Sequence, residues 1–471
     1  MIDFTGTYTD EYELTMAQVY FRKGYGQERA VFDYFFRSQP FNSGYTIFAG
    51  LEDLLRILET LRFDRADIEY LSGQGYNPEF LNYLKNFRFR GNVYSSPEGD
   101  VIFPTRPVLS VEAPLIEAQL IETLLLNILN FETLIATKAS RMRQAAVNCK
   151  LIDFGLRRAH GPAGYYASRA AIIGGFESTS NVRAGRDFGI PISGTMAHSF
   201  VQRYDDELAA FRDFAGGHPE NCVLLVDTYD TLKSGVPNAI KVGKEMARRG
   251  QRLLGIRLDS GDLAYLSRQA RRMLDEAGLD YVKIAASNQL DEHVIESLLK
   301  QGAPINFFGV GTRLVTGPPD ASLDGVYKLA FANGGPRLKL SETTEKISLP
   351  HLKQVFRVLN GDGNFFGADA VALAGETDVQ RMHHPSDPLK SLRIDEHEKE
   401  PLLHQVMKDG ERTADARSLQ EIAGYSKKRM KQLPSEYKRF INPHLYKVGL
   451  STRLKEVRDS LVEAHRKELE K

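Results

Sequence analysis

Cysteine is scarce: the 471 residues contain two, Cys149 and Cys222. Two thiols build neither a disulfide scaffold nor a cysteine-rich zinc site, so reduced core thiols of a cytosolic protein are expected. Net charge is absent as well, with 61 Lys and Arg against 61 Asp and Glu. No global field then recruits nucleic acid or an anionic membrane, and any anion must be held by a local site. Long apolar runs are also missing. The most apolar stretch, residues 115–135, is interrupted by Glu117, Glu122, Asn127, Asn130 and Glu132. It fits a buried amphipathic helix and not a membrane span. Residues 1–10 have neither a basic nor an apolar stretch of the signal-peptide kind, so a cytoplasmic protein is expected. Internal repeats and low-complexity tracts are not found.

What is present is an ordinary apolar fraction, 42%, and a length that predicts two or three domains. Residues 1–115 read as an α+β domain, with helices over 12–21, 51–61 and 78–86 and strands over 32–36, 45–49, 87–94 and 101–103. Residues 115–146 read as one long helix leading the second domain, 116–322. There, short apolar runs (151–154, 171–176, 190–192, 223–226, 253–258, 281–285, 305–310) alternate with helical patterns. Such alternation implies a parallel sheet covered by helices, and about seven units favour a closed or nearly closed α/β barrel. Residues 323–471 read as a β-hairpin around Asn333-Gly334-Gly335, further strands near 355–358 and 365–366, and a charged helical region from 400. The basic run Lys427–Lys431 reads there as a solvated helix face.

In an α/β barrel the chemistry sits at the C-terminal strand ends. Polar clusters follow nearly every run: Arg157-Arg158, 177–181, 193–195, 227–230, 257–262, 287–288 and 309–313. One such cluster usually caps a helix, but several in register point to a single crevice. At Gly189–Gln202 a strand end, a Ser193-Gly194-Thr195 turn and a helix start surround His198. Backbone N–H groups there favour an anion, Gly194 lets a ligand approach, and Thr195 and Ser199 can cap or donate. His198 can carry a proton or a phosphoryl group. Gly309-x-Gly311-Thr312 suits a phosphate. Arg257 and Asp259 share a strand face: either Arg257 holds an anion while Asp259 meets sugar hydroxyls or a Mg²⁺ shell, or the two form an internal salt bridge. Arg157, Arg158 and Arg169 suit a multiply anionic substrate.

The motifs Asp153–Gly161, Gly175–Asn181, Gly194–Ser199, Val226–Leu232, Arg257–Leu263 and Gly309–Thr312, with Thr9–Met16, resemble the nicotinate phosphoribosyltransferase family. That resemblance, to type II phosphoribosyltransferases, implies an irregular α/β barrel beside an α+β domain built from the N-terminal and post-barrel segments. It implies transfer of phosphoribosyl from 5-phosphoribosyl-1-pyrophosphate (PRPP) to nicotinate, formally a C–N ligation, giving nicotinate mononucleotide and pyrophosphate on the way to NAD. It also implies ATP coupling through a phosphohistidine and a homodimer with shared active sites. Residue by residue, His198 matches the phosphate-accepting histidine, and Thr195 and Tyr12 match nicotinate-binding positions, Tyr12 from the neighbouring subunit. Arg257 matches a nicotinate- or PRPP-binding arginine, and Asp259 a residue near the ribose hydroxyls. Gly311 and Thr312 fit the 5′-phosphate loop, and Arg157 and Arg158 hold phosphate or carboxylate. Ser180 falls where nicotinamide-using relatives carry an aspartate, which favours nicotinate.

The chemistry adds Mg²⁺ to neutralise the leaving pyrophosphate, without a residue assigned as its ligand. Asp227 is expected to orient His198 through one ring nitrogen and free the other to attack. Two further readings stand beside this one: a barrel lyase or isomerase acting on a phosphorylated sugar with Asp227 or Asp259 as base, and a non-catalytic PRPP or metabolite sensor.

Overall fold

Strand–helix alternation after residue 149 produces six parallel strands. They are β1 (Lys150–Asp153), β2 (Ser178–Thr179), β3 (Val223–Leu225), β4 (Gly255–Leu258), β5 (Lys283–Ser287) and β6 (Phe307–Val310). They pair in the order β2-β1-β6-β5-β4-β3, so chain neighbours other than β2 and β3 lie side by side and the last strand pairs with the first. The computed structural model describes residues 4–340 and 348–469 and divides into two units, Lys138–Ala321 and the combination of Met1–Thr137 with Ser322–Lys471. Residues 1–3 and 470–471, part of the expected N-terminal domain and C-terminal helix, lie outside the described residues.

Within Lys138–Ala321 the strands bury Leu151, Leu224, Ile256, Ile284 and Phe308. Buried stripes on helices Val236–Arg248, Leu263–Glu276 and Glu292–Lys300 face inward, as the 3.6-residue period requires. Asp262 and Asp291 cap two of these helices at Tyr265 N and at His293 and Val294 N. A cavity of about 210 Å³ is lined by Ile152, Ile192, Val223, Ile256, Ala285 and Phe307. Five of the six strands, β1 and β3 to β6, thus face one interior.

Two sequence expectations need correction here. The run 171–176 is not a strand: it falls at the end of the helix Ala163–Ile173, and the strand is the polar pair Ser178–Thr179. A short apolar run has no period that separates a buried strand from a buried helix. The run Ile190–Ile192 contributes one parallel bridge, to Thr179. Pro191 has no N–H for a ladder, so a full strand does not form.

In the other unit, Gly325–Ala332 pairs antiparallel with Arg29–Phe36, which pairs with Leu109–Pro114. A second, six-stranded sheet is built around Lys353–Leu359 and Phe365–Leu373. The expected long helix is two, Leu115–Leu120 and Glu122–Ala146, and the unit boundary falls inside the second, between Thr137 and Lys138. The region after 400 is not wholly helical. Strands His404–Lys408, Glu411–Arg412 and Lys447–Ser451 accompany helices Leu419–Gln432 and Thr452–Leu469. Short polar strands and solvated helices have similar compositions, and of these strands Glu411–Arg412 alone lies at a sheet edge. Arg429 in the basic run faces inward: its Nε donates to Asp100 Oδ1 at 2.7 Å and its Nη2 to Glu400 Oε2 at 2.8 Å.

Candidate active site

The side chains at the strand ends are held by a graded set of polar contacts. Asp153, fully buried at the end of β1, accepts from Ser168 Oγ (2.7 Å), Thr179 Oγ1 (2.7 Å) and the Gly155 N–H (2.8 Å). Its carbonyl also accepts the Ser180 N–H at 2.8 Å. Burial pushes the Asp153 carboxyl above the usual range, opposed by those donors. One side chain therefore fixes both the turn that carries Arg157 and Arg158 and the loop that carries Ser180. Asn181 caps the next helix at Ala184 N.

Arg257, on β4, donates through Nη1 to Thr195 Oγ1. No salt bridge joins it to Asp259 among the described residues. Burial lowers its pKa, with Asp259 and Asp227 opposing the shift. Its buried Nε has no partner among the described residues. A desolvated guanidinium with a free donor is prepared for an anion. Thr195 is therefore not a cap, and the helix His198–Gln202 starts after Ala197 without a side-chain cap.

His198 opens that helix. Its Nδ1 lies 3.1 Å from Thr228 Oγ1, and its Nε2 lies 3.8 Å from Asp259 Oδ2. The second separation exceeds a hydrogen bond. Asp227 makes no hydrogen bond to His198 among the described residues, where one was expected. Its Oδ2 accepts from the Asp259 N–H and from Ser260 Oγ, both at 2.7 Å. The turn after β3 aims this carboxylate at the backbone of the neighbouring loop, where two donors converge. Asp227 Oδ1 is buried with no partner among the described residues. Asp259 Oδ1 accepts from Ser287 Oγ.

At the end of β6, a Cβ on Gly309 would stand 2.3 Å from Phe154 Cε2, and just beyond it one on Gly311 would stand 3.0 Å from the Phe154 carbonyl oxygen. Glycine at both lets the Gly309–Thr312 turn lie against Phe154. At Gly194 a Cβ would meet nothing within 4 Å, so that glycine keeps space open.

A cavity of about 430 Å³ collects Arg157, Arg158, Ser180, Thr195, His198, Arg257, Asp259, Gly311 and Thr312. Asn288 and Gln289 also line it, both with positive φ, 84° and 45°. Consecutive non-glycine residues in the left-handed region store strain, which concentrates at functional sites. Three expected residues fall outside the lining. Arg169 is buried in the helix Ala163–Ile173, Asp227 lies behind Asp259, and Tyr12 belongs to the other unit, 47% exposed on the helix Glu11–Lys23. The sequence placed Thr228 in the 227–230 cluster without a role, and it missed Gln289, whose only signal was its position directly after the 287–288 cluster.

No group of three or more His, Cys, Asp or Glu among the described residues forms a metal cage. The hard oxygens of Asp227 and Asp259 nevertheless suit Mg²⁺, which takes one or two carboxylates and keeps water and substrate phosphates as its other ligands. The partnerless Oδ1 of Asp227 is consistent with that use. The whole arrangement can hold a polyanion and present a ring nitrogen to it.

Comparison with known proteins agrees along the chain. The family model described as the nicotinate phosphoribosyltransferase N-terminal domain matches residues 7–130. The nicotinate phosphoribosyltransferase family model matches 149–333, and the C-terminal domain model matches 352–458. Nicotinate phosphoribosyltransferase of Bacillus subtilis is 44% identical over 459 residues, covering 95% of this chain and 93% of its own. The crystal structure of human nicotinic acid phosphoribosyltransferase superposes with a TM-score of 0.86 at 32% identity, covering 96% of this chain and 99% of that one. The nicotinate-nucleotide pyrophosphorylase structure from Pyrococcus furiosus gives 0.72 at 25% identity, covering 91% and 95%.

Proposed function

The chain belongs to the nicotinate phosphoribosyltransferase family, and from that premise we propose how its residues carry the reaction. The reaction transfers phosphoribosyl from PRPP to nicotinate and yields nicotinate mononucleotide and pyrophosphate, a step of NAD biosynthesis. One observation carries the assignment of residues: His198, Arg257, Asp259 and the Gly311–Thr312 turn line one cavity. We read the surrounding sheet, with last strand paired to first, as an irregular α/β barrel.

The nicotinate ring nitrogen attacks the anomeric carbon while the carbon–oxygen bond to pyrophosphate breaks and its electron pair leaves with pyrophosphate. The transition state is oxocarbenium-like, and the nucleophile is weak, so alignment and charge stabilisation supply most of the barrier reduction. Arg157 and Arg158 hold phosphate or carboxylate oxygens, and Arg257 binds through its free Nε. The Gly311–Thr312 turn holds the 5′-phosphate, and Asp259 accepts from the ribose hydroxyls. Asp259, with the partnerless Oδ1 of Asp227 behind it, would hold Mg²⁺, which would supply charge neutralisation at the pyrophosphate. Thr195 orients Arg257 and borders the nicotinate. Ser180, a neutral donor, tolerates the nicotinate carboxylate where an aspartate would repel it. His198 accepts a phosphoryl group from ATP and couples its hydrolysis to product formation. A cytoplasmic homodimer, with the partner subunit's Tyr12 beside nicotinate, completes the reading.

The deciding experiment follows nicotinate mononucleotide and phosphate in mixtures of nicotinate, PRPP and Mg²⁺, with and without ATP, for the wild type and His198→Ala. ATP should accelerate product formation, and the variant should lose that acceleration. Nicotinamide in place of nicotinate should react at least roughly tenfold less efficiently, the scale of one mismatched polar contact. Equal use of both would remove the Ser180 assignment. An ATP response retained in His198→Ala would remove the phosphohistidine.

A further inference from the structure

We propose that a groove in the unit formed by residues 1–137 and 322–471 binds an elongated apolar monoanion of the long-chain carboxylate class. No residue assigned to the reaction lines it, and the inference stands apart from that assignment.

The groove has a volume of about 740 Å³, against about 430 Å³ for the candidate active site. Sites that take small molecules run from roughly 300 to 1,000 Å³. All of its lining residues fall in one unit. Strands Arg381–His383 and Ser391–Arg393 pair antiparallel with Met382 opposite Leu392, and Leu349, Val448 and Leu450 extend the apolar lining. Tyr446 supplies a fixed wall. Its ring stacks on Phe103 with centroids 3.4 Å apart, and its hydroxyl donates to Asp369 Oδ1 at 2.8 Å. Asp369 is fully buried and also accepts from Arg357 Nη2 at 3.1 Å, so this wall is ordered before any ligand arrives. Leu389 and Leu445 also line the groove and are 93% and 83% exposed. Leucines this exposed beside an apolar lining mark a surface that takes a ligand.

Charge decides the class of ligand. The lining carries Lys390, Lys447 and Arg458 and, among the described residues, no Asp or Glu. Two of these cations are already committed. Lys390 Nζ lies 2.9 Å from Asp387 Oδ2. Arg458 donates from Nη1 to the Pro385 carbonyl and from Nε and Nη2 to Asp459 Oδ1. Lys447 makes no ion pair among the described residues and is the cation left to meet an anion. His384 adds a neutral donor: its Nδ1 accepts the Ser386 and Asp387 N–H groups at 3.2 and 3.0 Å, which leaves the ring proton on Nε2. One uncommitted cation suits one negative charge, whereas a polyphosphate would need several. The aliphatic lining suits a methylene chain, each buried methylene adding to affinity.

The test is NMR of the full-length protein with ¹³C-labelled methionine methyl groups, titrated with decanoate. Met382 lines the groove and Met196 lines the candidate active site, so the two methyls tell the sites apart. Met382→Leu and Met196→Leu supply the assignments. Decanoate should shift the Met382 methyl saturably and leave Met196 in place. Octanoate should bind about fifteenfold more weakly, since each buried methylene changes affinity about fourfold. Decanol should bind about tenfold more weakly than decanoate, the value of one charge-assisted hydrogen bond. Lys447→Gln should abolish that difference and leave decanol binding unchanged, which also reports an intact groove. No saturable shift at Met382, a shift at Met196 in its place, or a glutamine variant that still prefers the carboxylate would overturn the proposal. If decanoate does not bind and the double change Leu389→Ser with Leu445→Ser halves the sedimenting mass, the groove is an interface between copies of this chain and the ligand site falls.

Discussion

Arg257 combines three features that arise together at a ligand contact: a buried guanidinium, one donor taken by Thr195, and an Nε without a partner among the described residues. Lysine keeps the charge but not the planar fork. Arg257→Lys should raise the KM for PRPP or nicotinate roughly tenfold to hundredfold, as loss of one charge-assisted hydrogen bond implies, with little change in melting temperature. Steady-state kinetics at saturating partner substrate checks it. Glu122 makes a prediction about pH instead. Burial, then the charge of Glu13, raises its carboxyl to about 7 from 4.5. The folded state therefore holds the proton more tightly than the unfolded chain. Its contribution to stability is full below pH 4.5 and is lost as the pH rises to about 7. Glu122→Gln should flatten this slope, making the urea midpoint less dependent on pH between these values, by the equivalent of roughly 2–3 kcal/mol. At this scale the sequence disclosed residue types and not partners. His198, Arg257 and Asp259 were legible because their motifs are long. Thr228 was not, because a hydroxyl at a strand end has a dozen ordinary uses and only the 3.1 Å contact selects one.

Two glycines show how elements rather than side chains shape the site. Gly235 ends the π-helical turn Thr231–Gly235, and a Cβ there would strike the Val226 carbonyl oxygen at 1.8 Å. Backbone cannot retreat as a flexible side chain can, so Gly235→Ala should destabilise the protein by about 3 kcal/mol or more. Gly194 faces open space. Gly194→Ala should leave stability within about 0.5 kcal/mol while it narrows the cavity and raises KM. Thermal melts and kinetics on the pair separate packing from access. The strand–helix alternation was legible at this scale for runs with clear borders, such as 305–310 and 253–258. It failed at 171–176, where a uniformly apolar run had no period, and at 190–192, where Pro191 interrupts the ladder. Past residue 400 it failed because short polar strands such as His404–Lys408 and Glu411–Arg412 have the composition of a solvated helix.

At the scale of the whole molecule, Tyr12 poses the remaining question. It is singled out by the N-terminal motif, it lies outside the unit that forms the cavity, and the residue is 47% exposed. A large exposed aromatic side chain on a helix is ordinary by itself. Its proposed place beside nicotinate in the partner subunit's cavity predicts complementation. In a twofold dimer with shared sites, each site takes Tyr12 from one subunit and His198 from the other. Tyr12→Ala and His198→Ala chains should each lack ATP-stimulated turnover when alone. Mixed in equal amounts through unfolding and reassembly, half of the dimers become heterodimers, and each carries one site with both defects and one with neither. ATP-stimulated activity should then recover to about a quarter of wild type. If Tyr12 serves its own subunit's cavity, every site in the heterodimer carries one defect and nothing recovers. The outcome separates a shared site from a self-contained one without requiring either variant to bind substrate.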